Sequence, residues 1–176
     1  MARLKYIEEE EAKDPRIKEA YQRMIAKRGK VTNIYKIMAY KPEILRTIGP
    51  FVAAVQAPDE VDARLKEKII LKASRVNGSV YCSHAHVQIM RKMEMTDEEI
   101  AAVDHLDSPL LTEAEKVALE YTEKLSRDAN GVSDELFARM QQFYSDSQIV
   151  EITCLICLYS MINRFNEAMK LDLEDY

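Results

Sequence analysis

Glycine, cysteine and alternating polarity are what this sequence has least of, and each shortage excludes something. Four glycines in 176 residues, with no clean apolar/polar alternation, leave little room for a sheet. Three cysteines, Cys82, Cys154 and Cys157, are too few for a disulfide scaffold. The opening residues, "MARLKYIEEEEAKDP", hold no apolar core for export and no charge-free run long enough to cross a bilayer. The chain is therefore read as cytoplasmic, with no membrane partner and with reduced thiols. Positive charge is short as well. Lys and Arg number 25 against 30 Asp and Glu, and a formal charge of −5 speaks against a nucleic-acid surface.

What is present describes an ordinary soluble globular chain, 47% apolar and 31% charged. No low-complexity tract and no linker divides it, so residues 1–176 are read as one domain. N-terminal helices are expected over 14–57 and a motif-bearing core over about 60–171. The helices announce themselves by their ends. Asp14-Pro15 reads as an N-cap with proline at the first helical position, and Gly29 as the stop. Asn33 caps a short helix through Tyr40, and Pro42 opens another that Gly49-Pro50 should kink or break. A helix over about 61–76 ends at Asn77-Gly78, and the next runs from near Ser79 to about Met93. Thr96 with Glu99, Thr112 with Glu115, and Ser145 with Gln148 have capping-box spacing, and Ser133 starts a further helix. The last, about 148–171, is apolar nearly all round through "IVEITCLICLYSMI", which suits a bundle centre or a subunit interface. The fold class is all-α, with about seven to nine helices.

The stretch "NGSVYCSHAH", residues 77–86, carries the chemistry. Ser79 opens a helix, so Cys82 falls in or just beyond its first turn, where unpaired backbone N–H groups favour a thiolate. His86 lies one turn further on the same face and Ser79 completes the stripe. A nucleophile, an imidazole and a hydroxyl on one face make a plausible active site. The plainer alternative is a small buried cysteine beside an unrelated histidine. For Glu67 the alternatives are a carboxylate folded back to orient the imidazole, or one member of a solvated charged turn, "RLKEK".

The run "LKEKIILKASRVNGSVYCSHAH" resembles the core of the AhpD-like branch of the carboxymuconolactone decarboxylase superfamily. Its pattern is a glutamate, eleven residues, then Cys-x-x-Cys-x-x-x-His. Glu67, Cys82 and His86 stand in the glutamate, second-cysteine and histidine positions. Ser79 stands where the family has its first cysteine. The resemblance extends over about residues 30–170, through "GKVTNIYKIMAYKPEILRTIGPF" and the downstream helices. It implies an AhpD-like helical bundle assembled as a trimer or hexamer. It also implies a thiol-dependent peroxidase in which Cys82 attacks and His86 and Glu67 relay protons. The catalytic set is then Cys82, His86, Glu67 and Ser79, with no cofactor and no metal. Because serine cannot resolve a sulfenic acid, the two-cysteine cycle gives way to regeneration by an external thiol reductant.

Two other readings compete. One is a non-redox lyase of the decarboxylase type, using Glu67 and His86 on a small acidic substrate. The other is a non-catalytic oligomeric helical protein. Cys154 and Cys157 spell Cys-x-x-Cys but sit inside an apolar helix, so they are read as core. Resolution of Cys82 by one of them stays open. Arg164 is read as an anchor for a subunit contact or a buried carboxylate, and His105 as a surface or capping residue.

Overall fold

The punctuation of the chain becomes helix boundaries in the computed structural model, which describes residues 1–175. Among these residues there are nine α-helices and no strand: α1 (Pro15–Arg28), α2 (Asn33–Met38), α3 (Pro42–Gln56), α4 (Ala63–Val76), α5 (Val80–Lys92), α6 (Asp97–Ala102), α7 (Glu113–Arg127), α8 (Asp134–Gln141) and α9 (Asp146–Met169). Asp14 accepts from the Arg16 N–H at the head of α1, and Gly29 closes it in the left-handed region at φ 76°. The three capping boxes, at Thr96, Thr112 and Ser145, all form. Each such cap contributes about 1 kcal/mol.

Two local expectations fail for physical reasons. α3 runs unbroken through Gly49-Pro50. Glycine has no Cβ for the proline ring to clash with, so the residue before Pro50 stays helical, and Gly49 faces the Met24 side chain of α1. At α2, Thr32 rather than Asn33 holds the cap position, and its hydroxyl makes no cap bond. The Asn33 N–H is satisfied by Glu174 Oε1 at 2.7 Å, a partner 141 residues away.

α4 is the hub, packed against α5, α7 and α9. Its Ile69, Ile70, Leu71 and Ala73 have no exposed surface, each large side chain contributing about 2 kcal/mol by burial. The charged stretch "RLKEK" is solvated only in part, mainly at Arg64. Lys66 and Lys68 are buried, as is Lys72 further along. Lys66 pairs with Glu151 of α9, Lys68 with Glu115 of α7, and Lys72 with Glu123 of α7 at 2.8 Å. Removing one partner of such a buried pair costs about 3–5 kcal/mol.

α9 has 24 residues and is long and apolar enough, by length and composition, to cross a membrane. In this fold it is a bundle helix, lying against α3, α4, α5, α7 and α8. One face is open to solvent: Val150, Cys154, Cys157 and Met161 recur at helical spacing and are all exposed. Cys154 and Cys157 are therefore not core residues. Residue type does not reveal which face of an apolar helix its neighbours cover.

Candidate active site

The site is assembled where α4, α5 and α9 meet. Gly78, at φ 69°, makes the tight turn after α4, and the Ser79 N–H donates back to Ser74 O at 2.8 Å. α5 then folds back along α4. This brings His86 Nδ1 to 2.6 Å from Glu67 Oε2, with side chains only 7% and 14% exposed. A carboxylate on Nδ1 holds the proton there and leaves Nε2 as the basic nitrogen. The His86 ring also stands edge-on to Tyr159 of α9, at 5.0 Å between centroids and 81° between planes. Gln56 of α3 donates to the Tyr159 hydroxyl. Burial, with Glu67 nearby, raises the Tyr159 phenol well above its ordinary value, so it stays neutral.

Glu67, Cys82 and His86 line one cavity of about 300 Å³. Tyr35, Val52 and Ile162 make its wall apolar, while Arg28 and Lys92, both exposed, stand in the same wall. Ser79 is not among its lining residues. Its Oγ caps α5 by accepting from the Cys82 N–H at 3.4 Å and donates to Glu167 Oε1 at 3.1 Å. The Val80 N–H, at 3.0 Å, also ends on Glu167. The helix start that was expected to favour a thiolate therefore spends its donors elsewhere.

Cys82 itself is 3% exposed. Its thiol is pushed up to about 11, first by burial and then by the Glu167 carboxylate. Hydrogen bonding from Ser79, Asn166 and Ser74 pulls the other way without winning. Asn166 Nδ2 donates to Cys82 Sγ at 3.1 Å. Cys82 does sit at the head of α5, but desolvation outweighs the helix end and turns its acidity the other way.

Cys154 and Cys157 belong to another part of the surface. Cys157 precedes Asn166, which touches Cys82, by nine residues on α9. Nine residues at 100° each place it on the opposite side, about 13 Å along the axis. Neither exposed cysteine can reach Cys82 within one folded chain. Arg164 is exposed and donates to Ser160 O at 3.0 Å. His105 is exposed just after α6, with its N–H on Ala102 O at 2.9 Å. Among the described residues no group of three or more His, Cys, Asp or Glu is arranged to hold a metal ion.

Residues 42–124, which carry Glu67, Ser79, Cys82 and His86, match the Carboxymuconolactone decarboxylase family. The whole chain also superposes on the AhpD core of a peroxidase-related protein from Ralstonia eutropha JMP134, with a TM-score of 0.85 at 19% identity. That match covers 98% of this chain and 92% of the other. The chain thus has the AhpD-like fold, and its residues 42–124 are similar to the carboxymuconolactone decarboxylase family. Among proteins similar in sequence, the Bacillus subtilis (strain 168) protein YdfG is 28% identical over 111 residues, 62% of this chain and 76% of YdfG. The debrominase Bmp8, in a cysteine-to-alanine variant complexed with 2,3,4-tribromopyrrole, has the same fold. Its TM-score is 0.86 at 21% identity, over 99% of this chain and 94% of that one.

Inspection of the motif alone misses the α9 wall. Tyr159 and Asn166 line the cavity, and with the buried Asn163 between them they are spaced four and three apart, a stripe of polar groups on a buried face of α9 that is the signal pointing to them.

Proposed function

We propose that this protein is a one-cysteine, thiol-dependent peroxidase acting on small organic hydroperoxides. The observation that carries the reading is a sulfur, an imidazole and a carboxylate in the wall of one largely apolar cavity, with the imidazole already paired. The Cys82 thiolate attacks the terminal oxygen of R–O–O–H. The S–O bond forms, the O–O bond breaks, and RO⁻ leaves as ROH with the proton first taken from the thiol. His86, held by Glu67, is the group that passes this proton. The sulfur is oxidised by two electrons and the peroxide reduced by two. Ser79 stands where a resolving thiol would be, so the Cys82 sulfenate is removed from outside. One thiol condenses with it to a mixed disulfide and water, and a second releases the disulfide and restores Cys82. The rapid-mixing test uses cumene hydroperoxide with dimedone capture. A dimedone adduct on Cys82 and turnover with dithiothreitol are expected; the absence of both defeats the reading.

A second reading draws on one observation, the thiol raised to about 11. The Glu67–His86 pair is complete without the sulfur, and a lyase or proton-transfer enzyme would use it alone. Turnover of a small acidic lactone that survives Cys82→Ala but not His86→Ala would favour this alternative. The debrominase of the same fold makes a brominated pyrrole a useful addition to the substrate panel.

A further inference from the structure

The wall behind Cys82 carries two buried polar atoms with no partner. Asn163 and Asn166 are each 1% exposed, yet Asn163 Nδ2 and Asn166 Oδ1 make no hydrogen bond. One is a donor and the other an acceptor, and residues three apart on a helix are neighbours. The groups that are bonded run in one direction. The Ser74 hydroxyl donates to Ile70 O at 2.7 Å and lies 3.3 Å from Asn163 Oδ1, while Asn166 Nδ2 ends on Cys82 Sγ at 3.1 Å. Leaving buried amide atoms unpaired costs stability, and a fold that tolerates it has a reason. The amide of Asn166 presents its N–H, not its oxygen, to the sulfur. An N–H has nothing to gain from a neutral S–H donor and much to gain from an anion.

We propose that Asn166 is a catalytic residue whose side-chain N–H stabilises the Cys82 thiolate. The proposal rests on Cys82 acting as a nucleophile and not on which electrophile it meets. It also extends the site beyond the matched residues 42–124 into α9. The buried sulfur has no cationic partner among its hydrogen bonds, so a neutral donor offsets part of the desolvation that opposes ionisation.

The test is alkylation of Cys82 by iodoacetamide from pH 7.5 to 10, read by mass spectrometry in a Cys154→Ser/Cys157→Ser chain. Asn166→Leu, close in shape and without the donor, should slow the reaction about tenfold across this range, as a lost charge-assisted hydrogen bond does. Asn166→Asp replaces the donor by an acceptor of the same shape and should slow it more, about a hundredfold. Circular dichroism melts should show Asn166→Leu unfolding no earlier than the parent, because it removes an unpaired buried acceptor. A general structural role would lower the melt and leave the pH profile in place. Unchanged alkylation in both Asn166 variants, or a faster Asn166→Asp, overturns the proposal. Slowed alkylation in a parent that forms no sulfenate with hydroperoxide supports this role for Asn166 while defeating the peroxidase reading.

Discussion

The cysteines of this chain divide into a buried sulfur with chemical neighbours and an exposed pair without them. Cys82 is sealed to 3% exposure, bonded by Asn166 and shares a cavity with an imidazole–carboxylate pair. Cys154 and Cys157 lie open on the uncovered face of α9. Accessibility and reactivity thus point to different residues. The exposed thiols are the ones any reagent meets first. The buried one is the cysteine that shares a cavity with an imidazole–carboxylate pair able to move a proton. Desolvation that keeps the Cys82 thiol neutral at rest also strengthens each hydrogen bond made to the thiolate once it forms.

The largest effect expected is therefore a reversal of what exposure alone suggests. Cys82→Ala should abolish hydroperoxide reduction, a loss of roughly 10³-fold or more on the scale of removing a nucleophile. Cys154→Ser/Cys157→Ser should stay within about twofold of the parent, because sparse surface changes leave distant sites intact. Steady-state peroxide consumption with dithiothreitol checks both. A double variant as dead as Cys82→Ala would erase the division between the two regions.

A smaller effect separates them by acidity. At pH 8 the exposed pair should take up iodoacetamide first. Cys82 in the folded chain should react about a hundredfold more slowly than in the urea-unfolded chain, since a thiol near 11 holds about a hundredth of the thiolate of one near 9. Its rate should climb about tenfold per pH unit towards that value. Peptide mapping after timed quenching reads all three sites together. Equal rates in folded and unfolded chains would mean that burial does not govern Cys82.

How much of this was legible in the sequence follows the same division. Helix starts are local chemistry, so Asp14-Pro15, the three capping boxes and Ser133 mark their helices correctly. Glu67, Cys82 and His86 lie within twenty residues on two helices joined by a tight turn, so their meeting can be reasoned from periodicity and the family pattern. Three things are not local. The cap of α2 comes from Glu174. The sulfur's hydrogen-bond donor comes from Asn166, 84 residues on. The exposure of Cys154 and Cys157 depends on which faces of α9 the other helices cover. The thiol's acidity failed for a related reason: the helix end is visible in the sequence, whereas the burial that overrides it belongs to the assembled bundle.

The smallest effect is on stability and depends on the sign of the Cys82 shift. A thiol raised from about 9 to about 11 keeps its proton in the folded chain after the unfolded chain has lost it. Unfolding then releases a proton, so stability falls as pH rises. The contribution is fully present below about pH 9 and is lost progressively towards pH 11, a change of about 2 kcal/mol or some 5 °C in Tm for a chain this size. Cys82→Ala removes that sensitivity, although the lost side chain lowers its Tm at every pH. The difference in Tm between parent and variant should therefore shrink between pH 8.5 and 10.5. Tyr21, Tyr144 and Tyr159 are also raised by burial, but they are common to both chains and cancel in that difference. Cys154→Ser/Cys157→Ser should show a smaller convergence, since burial raises the Cys157 thiol too, though that sulfur is far less completely buried. If the gap between parent and Cys82→Ala stays constant through this window, the buried sulfur titrates as an ordinary thiol and its contrast with the exposed pair reduces to access alone.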